Sequence, residues 1–235
     1  YCEYKAGNEI EIYSETVRNT SQDELRHIKE NVIEYNHSLA SEESKSSISY
    51  DEMLAATDAI GYLEIPRLQL MLPIYEGTEE DVLARGVGHM EQTSLPVGGA
   101  STHCVLAGHT GLPTAKLFTH LDKMKEGDLF YIHELDEILT YKVDRISVVL
   151  PDETDALQIE EGKDYVTLLT CIPYGVNSHR LLVRGERTEN PVTADSQEKA
   201  DKPVSTVVYA VFVGIILIVF YIWFKHKRRR LNEKE

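Results

Sequence analysis

Cysteine is scarce in this 235-residue chain, with three in all. Cys2, Cys104 and Cys171 are odd in number and far apart, which excludes both a disulfide framework and a zinc-binding pattern. No segment repeats and no glycine-rich phosphate loop is present, so solenoid and P-loop nucleotide-binding classes are excluded as well. Positive charge is short over most of the length. Residues 1–200 hold 17 Lys and Arg against 36 Asp and Glu. Nucleic-acid binding relies on neutralising phosphates, so a nucleic-acid partner is excluded. The excess acid suits a solvated outward-facing domain or a lysine-rich partner. Cys2 reads as part of a tail. Cys104, inside His103-Cys104-Val105-Leu106-Ala107, reads as a small core hydrophobe. Cys171 is left as the thiol with a chemical role.

Val204–Phe224 runs for 21 residues without a charge. As a helix rising ~1.5 Å per residue it reaches roughly 30 Å, the hydrocarbon thickness of a bilayer. It has no polar face, which disfavours a buried core helix and leads us to expect a transmembrane helix over 204–224. Lys225, Lys227, Arg228, Arg229 and Arg230 follow directly. The positive-inside rule then makes 225–235 a cytoplasmic tail, with the preceding domain outside the cell and Trp223 at the interface. Residues 189–203 are polar and unpatterned, a linker between domain and membrane. Because the chain opens on Tyr1 rather than Met, an N-terminal signal or anchor is expected to have preceded it.

Leu25, Ile28, Val32, Tyr35 and Leu39 recur at three- and four-residue steps, which predicts an amphipathic helix over 22–40 with Ser21 as its N-cap. Residues 40–49 are rich in Ser and Glu and read as a loop. From Ile60 onward, short apolar runs alternate with Gly, Pro, Asp and Asn. They predict strands near 60–65, 68–75, 103–108, 128–133, 138–149, 165–171 and 180–186, with short helical inserts near 79–86 and 114–121. Many short strands with turn signals predict a mainly β, closed barrel over 59–188, preceded by a helical region over 1–58.

The chemistry concentrates in Thr167-Leu168-Leu169-Thr170-Cys171, followed by Ile172-Pro173-Tyr174-Gly175 and then His179-Arg180-Leu181-Leu182-Val183. A thiol ends one β-type run and a guanidinium heads the next, so the two can act on one carbonyl. A free thiol is only a few per cent thiolate near neutral pH, and cationic neighbours raise that fraction. Arg180 stays charged and offers donors in a fixed plane for a developing oxyanion. Arg184 and Arg187 in the same segment read as surface arginines. For the acid–base group, His109 in Ala107-Gly108-His109-Thr110-Gly111-Leu112-Pro113, His89 and His179 are all available. On a strand, His179 and Arg180 point to opposite faces.

The TLxTC pattern with an arginine nine residues on resembles the sortases, cysteine transpeptidases of Gram-positive surfaces. Ile60-Gly61-Tyr62-Leu63-Glu64-Ile65-Pro66, Gly86-Val87-Gly88-His89, Thr93-Ser94-Leu95-Pro96-Val97-Gly98-Gly99 and Pro173-Tyr174-Gly175-Val176-Asn177 extend the likeness to the class C, pilus-assembling branch, over most of residues 25–188. The resemblance implies an eight-stranded sortase barrel, Cys171 as nucleophile, His109 as acid then base, Arg180 at the oxyanion, and Thr170 shaping the groove beside Cys171. His89 is assigned to structure. It also implies pilin or surface-protein substrates carrying an LPxTG-like signal, a thioacyl intermediate, a lysine acceptor, and no metal or organic cofactor. Alternatives are attachment of surface proteins to peptidoglycan, and a non-catalytic surface binding protein on the same barrel. In one respect the chain departs from class C. Residues 36–58 hold no Asp-Pro-aromatic plug, so the lid is expected to be truncated or unplugged, or plugged instead by Tyr50 or Met53.

Overall fold

A computed structural model describes residues 2–40, 57–111 and 116–189. The expected lid, linker, transmembrane helix and basic tail lie outside the described residues, among which no helix is long and apolar enough to cross a membrane.

Two helices lead into the barrel. The second, α2 (Gln22–Ala40), falls where the apolar spacing predicts it. Ser21 caps it: the Glu24 N–H donates to Ser21 Oγ at 3.3 Å and the Leu25 N–H to Ser21 O at 2.9 Å. Leu25, Ile28 and Val32 are buried. So is Asn36, whose Nδ2 donates to Leu95 O (3.1 Å) while its Oδ1 accepts from the Leu95 N–H (2.7 Å). That amide pins α2 to the loop before β4. The first helix, α1 (Cys2–Asn19), replaces the expected tail around Cys2. It packs on β1 and β2 through Tyr13 and Val17, and Tyr13 Oη accepts from the Leu135 N–H at 2.7 Å.

Eight strands close into a barrel: β1 (Ala59–Ile65), β2 (Leu70–Glu76), β3 (Val87–His89), β4 (Thr102–Ala107), β5 (Leu129–Glu134), β6 (Glu137–Val149), β7 (Asp164–Ile172) and β8 (His179–Thr188). Their order around the barrel is β1-β2-β3-β4-β7-β8-β6-β5. Pairing is antiparallel except for β2–β3 and β4–β7, which are parallel. Closure pairs β1 with β5 and removes the free edges. The seven patterned strands appear within a few residues of their expected bounds. The eighth, β3, is three residues long and too short to carry a period. Inside, Leu63, Ile74, Leu106, Ile132, Leu168 and Val183 have no exposed surface. Each such side chain is worth ~1.5–3 kcal/mol on burial. The Phe130 and Tyr141 rings stack at 5.6 Å, and a Cβ on Gly185 would sit 2.5 Å from the Phe130 ring.

Two expectations are corrected here. The insert near 79–86 forms a short helix, α3 (Glu80–Leu83), but no α-helix fills 116–121. Leu117, Phe118 and Leu121 imitate a helical face, yet the backbone makes i→i+3 bonds (Thr119 N–H to Lys116 O, Leu121 N–H to Phe118 O) and tightens into a 3-10 turn at Leu121–Lys123. Arg184 is not a surface arginine. It is 8% exposed, donates to Asp144 Oδ2 at 2.6 Å and Glu160 Oε1 at 3.0 Å, and lies over the Tyr165 ring at 3.9 Å. It thereby fastens the long β6–β7 connection to the barrel wall.

Candidate active site

Cys171 is the penultimate residue of β7 and Arg180 the second of β8. The turn between them is closed by the Val176 and Asn177 N–H groups on Pro173 O, at 3.0 and 2.9 Å. It returns the chain so that Cys171 pairs directly with Arg180. Residues opposed in this way share a face, with Cβ atoms ~4.5–5.5 Å apart. On its other side β7 runs parallel to β4, Ala107 pairing with Leu169. The Gly108 N–H continues that ladder to Leu169 O at 3.0 Å. His109 follows directly, just past the end of β4 and on the side of β7 away from β8. The end of β7 that carries Cys171 therefore lies between the end of β4, which leads to His109, and the start of β8, which carries Arg180, and all three residues are partly exposed.

Each is held by its neighbours. Thr170 is buried, and its hydroxyl donates to Gly108 O at 2.6 Å. Its side chain thus locks the residue before His109 to the residue before Cys171. The Gly108–Gly111 segment has no room for side chains at its glycines. A Cβ on Gly108 would lie 2.7 Å from the Phe118 ring. Gly111 has φ +76°, and a Cβ there would come within 1.7 Å of the Tyr174 ring. The Phe118 N–H donates to His109 O, and the Gly111 N–H to Thr119 Oγ1, both at 3.0 Å. Tyr174, 70% exposed on the β7–β8 turn, so bridges the turn after Cys171 and the loop that carries His109.

Arg180 Nη1 donates to Asn177 O and His179 O, each at 3.1 Å, which fixes one arm of the guanidinium on the turn's own carbonyls. His109 Nε2 is enclosed and makes no hydrogen bond among the described residues. Glu80 Oε2 comes to 3.5 Å of it, close enough for attraction but outside bonding geometry.

Three other histidines and the buried thiol have other work. His179 pairs with Ile172 rather than Cys171 and meets Ser178 Oγ through Nδ1 at 2.9 Å. His89 is fully buried, with Nε2 3.0 Å from Ser94 O and 3.2 Å from Thr93 Oγ1; burial pulls its pKa down to about 4, so the ring is neutral. His103, which the sequence did not flag, sits on β4 between Gln158 O (2.9 Å) and Thr167 Oγ1 (2.8 Å). Cys104 is buried, and desolvation pushes its thiol well up, away from the reactive form. A cleft of about 920 Å³ lined by Met90, Thr93, His103, Leu157 and Gln158 lies toward the opening ends of β4 and β7 and includes none of the three site residues. Among the described residues, no group of three or more His, Cys, Asp or Glu could hold a metal ion.

Residues 63–188, just over half of the chain, match the sortase domain. The chain belongs to the sortase family. Its structural neighbours are class C sortases. The sortase C of Clostridium perfringens, solved with the C-terminal cell wall sorting motif, is 49% identical, with a TM-score of 0.73 over 79% of this chain and 100% of that one. Streptococcus pneumoniae sortase C, whose structure bears on catalysis and pilin substrate specificity, is 45% identical, with a TM-score of 0.71 over 77% and 96%. Sortase A of Bacillus anthracis is 31% identical over 127 residues, 54% of this sortase and 59% of its own length. This sortase spans about three fifths of the length of the curated relatives it matches. Glu80 and the bridging contact of Tyr174 were not visible in the sequence. Glu80 sits among Glu79 and Asp81 with no pattern to single it out, and Tyr174, though part of the class C-like run, carried no assigned role.

Proposed function

We propose that this sortase is a pilus-assembling transpeptidase. The observation that carries the reading is the pairing of Cys171 with Arg180, with β4, whose end leads to His109, on the other side of β7. Cys171 attacks the Thr–Gly carbonyl of an LPxTG-like sorting signal. Arg180 donates to the oxygen as it becomes negative; loss of such a donor typically costs ~10²–10³ in rate. His109 protonates the departing glycine amine, proton transfer of this kind contributing ~10²–10⁴. The thioacyl enzyme is then resolved by a lysine amine of a neighbouring pilin, giving an isopeptide bond. Water competes for the thioester, so the amine must be positioned in place of solvent.

Identity of 45–49% to class C enzymes, one of them described in terms of pilin substrates, supports the pilus reading over general surface-protein anchoring. The uncharged run at 204–224 and the basic residues after it support a C-terminal membrane anchor, with the barrel outside and the C-terminus in the cytoplasm.

The test is mass spectrometry of the protein incubated with a panel of LPxTG-type peptides, alongside Cys171→Ala. Amine donors are a pilin-type lysine peptide and an oligoglycine. An acyl adduct on Cys171 that transfers to the lysine donor and is absent from the variant is expected. Transfer to oligoglycine alone would favour cell-wall attachment, and absence of any adduct across the panel would sink the enzyme reading.

A further inference from the structure

The turn before β3 carries a carboxylate to the site. Gly88 is packed so closely on that turn that a Cβ would lie 2.2 Å from Gly77 O and 3.0 Å from Leu83 Cδ2. This contact seats α3 against β3, which pairs with β4 just before His109. Glu80, at the head of α3, is the one carboxylate within ion-pair distance of His109, Cys171 or Arg180 among the described residues. Its side chain is 86% exposed, yet Oε2 lies 3.5 Å from His109 Nε2. That nitrogen has no hydrogen-bond partner among the described residues. The pair is too long and poorly aligned to be a device for orienting the imidazole. An open carboxylate thus stands beside an enclosed ring nitrogen that makes no hydrogen bond among the described residues.

We propose that Glu80 receives the ammonium of the incoming amine and presents it to His109, which deepens the transpeptidase reading and rests on it. A lysine amine has a pKa of ~10.4, so it arrives protonated and cannot attack a thioester. A carboxylate open to solvent and adjacent to the base attracts that cation to the place where it can lose a proton. Water carries no charge and gains nothing from Glu80, so the carboxylate biases the thioacyl enzyme toward a cationic acceptor. In the step, the amine nitrogen bonds to the acyl carbon and the bond from that carbon to Cys171 Sγ breaks. Of the two protons the ammonium loses, one passes through His109 to the departing sulfur and the other goes to solvent.

The experiment measures aminolysis of the Cys171 thioacyl enzyme by a lysine peptide and by hydroxylamine, which is uncharged at neutral pH. Exposed carboxylate–ammonium pairs are weak, so Glu80→Gln is expected to raise KM for the lysine peptide about two- to fivefold with kcat little changed. Glu80→Lys raises it further, and Glu80→Asp restores part of the loss. KM for hydroxylamine stays put throughout. In the parent protein, KM for the lysine peptide climbs with ionic strength, and in Glu80→Gln it does not. Equal shifts for both nucleophiles, or no shift for either, would overturn the proposal while leaving the transpeptidase reading intact. Failure of the parent protein to form any Cys171 thioacyl adduct would overturn both.

Discussion

Glu134 ends β5 and pairs with Glu137 across the β5–β6 hairpin. It is 2% exposed, and its Oε1 has no hydrogen-bond partner among the described residues. Burial drives its pKa up from 4.5 to about 8; Lys29 pulls the other way, and Glu137 and Asp136 add to the rise. At pH 7 the folded protein therefore keeps a proton that the unfolded chain has released. The folded state binds more protons between pH 4.5 and about 8, so stability is fully present below that window and falls as pH rises through it. Each unit is worth up to ~1.4 kcal/mol, which sums to about 3 kcal/mol by pH 7. Glu134→Gln keeps the shape and removes the titration. In urea unfolding at pH 5, 6, 7, 8 and 9, the variant is expected to gain on the parent by ~1 kcal/mol per unit up to pH 8 and then to hold its lead. Other groups titrate equally in both proteins, so the difference isolates Glu134. Parallel curves from pH 5 to 8 would refute the claim that the fold holds this acid neutral.

Arg180→Lys keeps the charge but loses the planar fork, and is expected to lower kcat for thioacyl formation by ~10²-fold with little change in peptide KM; stopped-flow acylation checks it. Gly111→Ala forces a side chain into φ +76° and against the Tyr174 ring. The strain is ~1–2 kcal/mol, and the larger effect falls on activity, because the two site loops are pushed apart; thermal unfolding and peptide cleavage together separate the two. Arg184→Met leaves Asp144 without its partner and is expected to cost ~2–3 kcal/mol, less than a fully enclosed pair because Asp144 and Glu160 are themselves partly exposed. Urea titration reads it, and unchanged stability would show that Arg184 does not hold the β6–β7 connection.

How far the sequence could be read depends on whether a feature is local. Cys171 and Arg180 sit at the ends of two strands joined by a short turn, so nine residues of sequence contain their whole relation. His109 needed the class C likeness to be chosen over His89 and His179, because its approach to Cys171 depends on the β4–β7 pairing. α1 buries Ala6, Tyr13 and Val17 and half-buries Ile10, a helical spacing present in the sequence but diluted by the many charged residues around it. Arg184 looked like a surface residue because its carboxylates lie 40 and 24 positions away in the chain. In β5, Phe130, Ile132 and Glu134 alternate inward on one face. The acid's position on that face implies burial, but charge at a strand end ordinarily reads as the start of a turn.

The hydroxyl of Thr170 reaches a carbonyl 62 residues earlier in the chain. Between them lie β5, β6 and the whole excursion that carries the chain around the barrel before β7 can dock on β4. Pairings this distant in sequence form late, since loop-closure entropy must be overcome before they return anything. A nascent chain that has made its hairpins but not this contact carries a thiol with no acid beside it. On the proposed mechanism, assembly of the site therefore waits on a long-range pairing, and a chain that has made only its hairpins does not yet hold the three residues together.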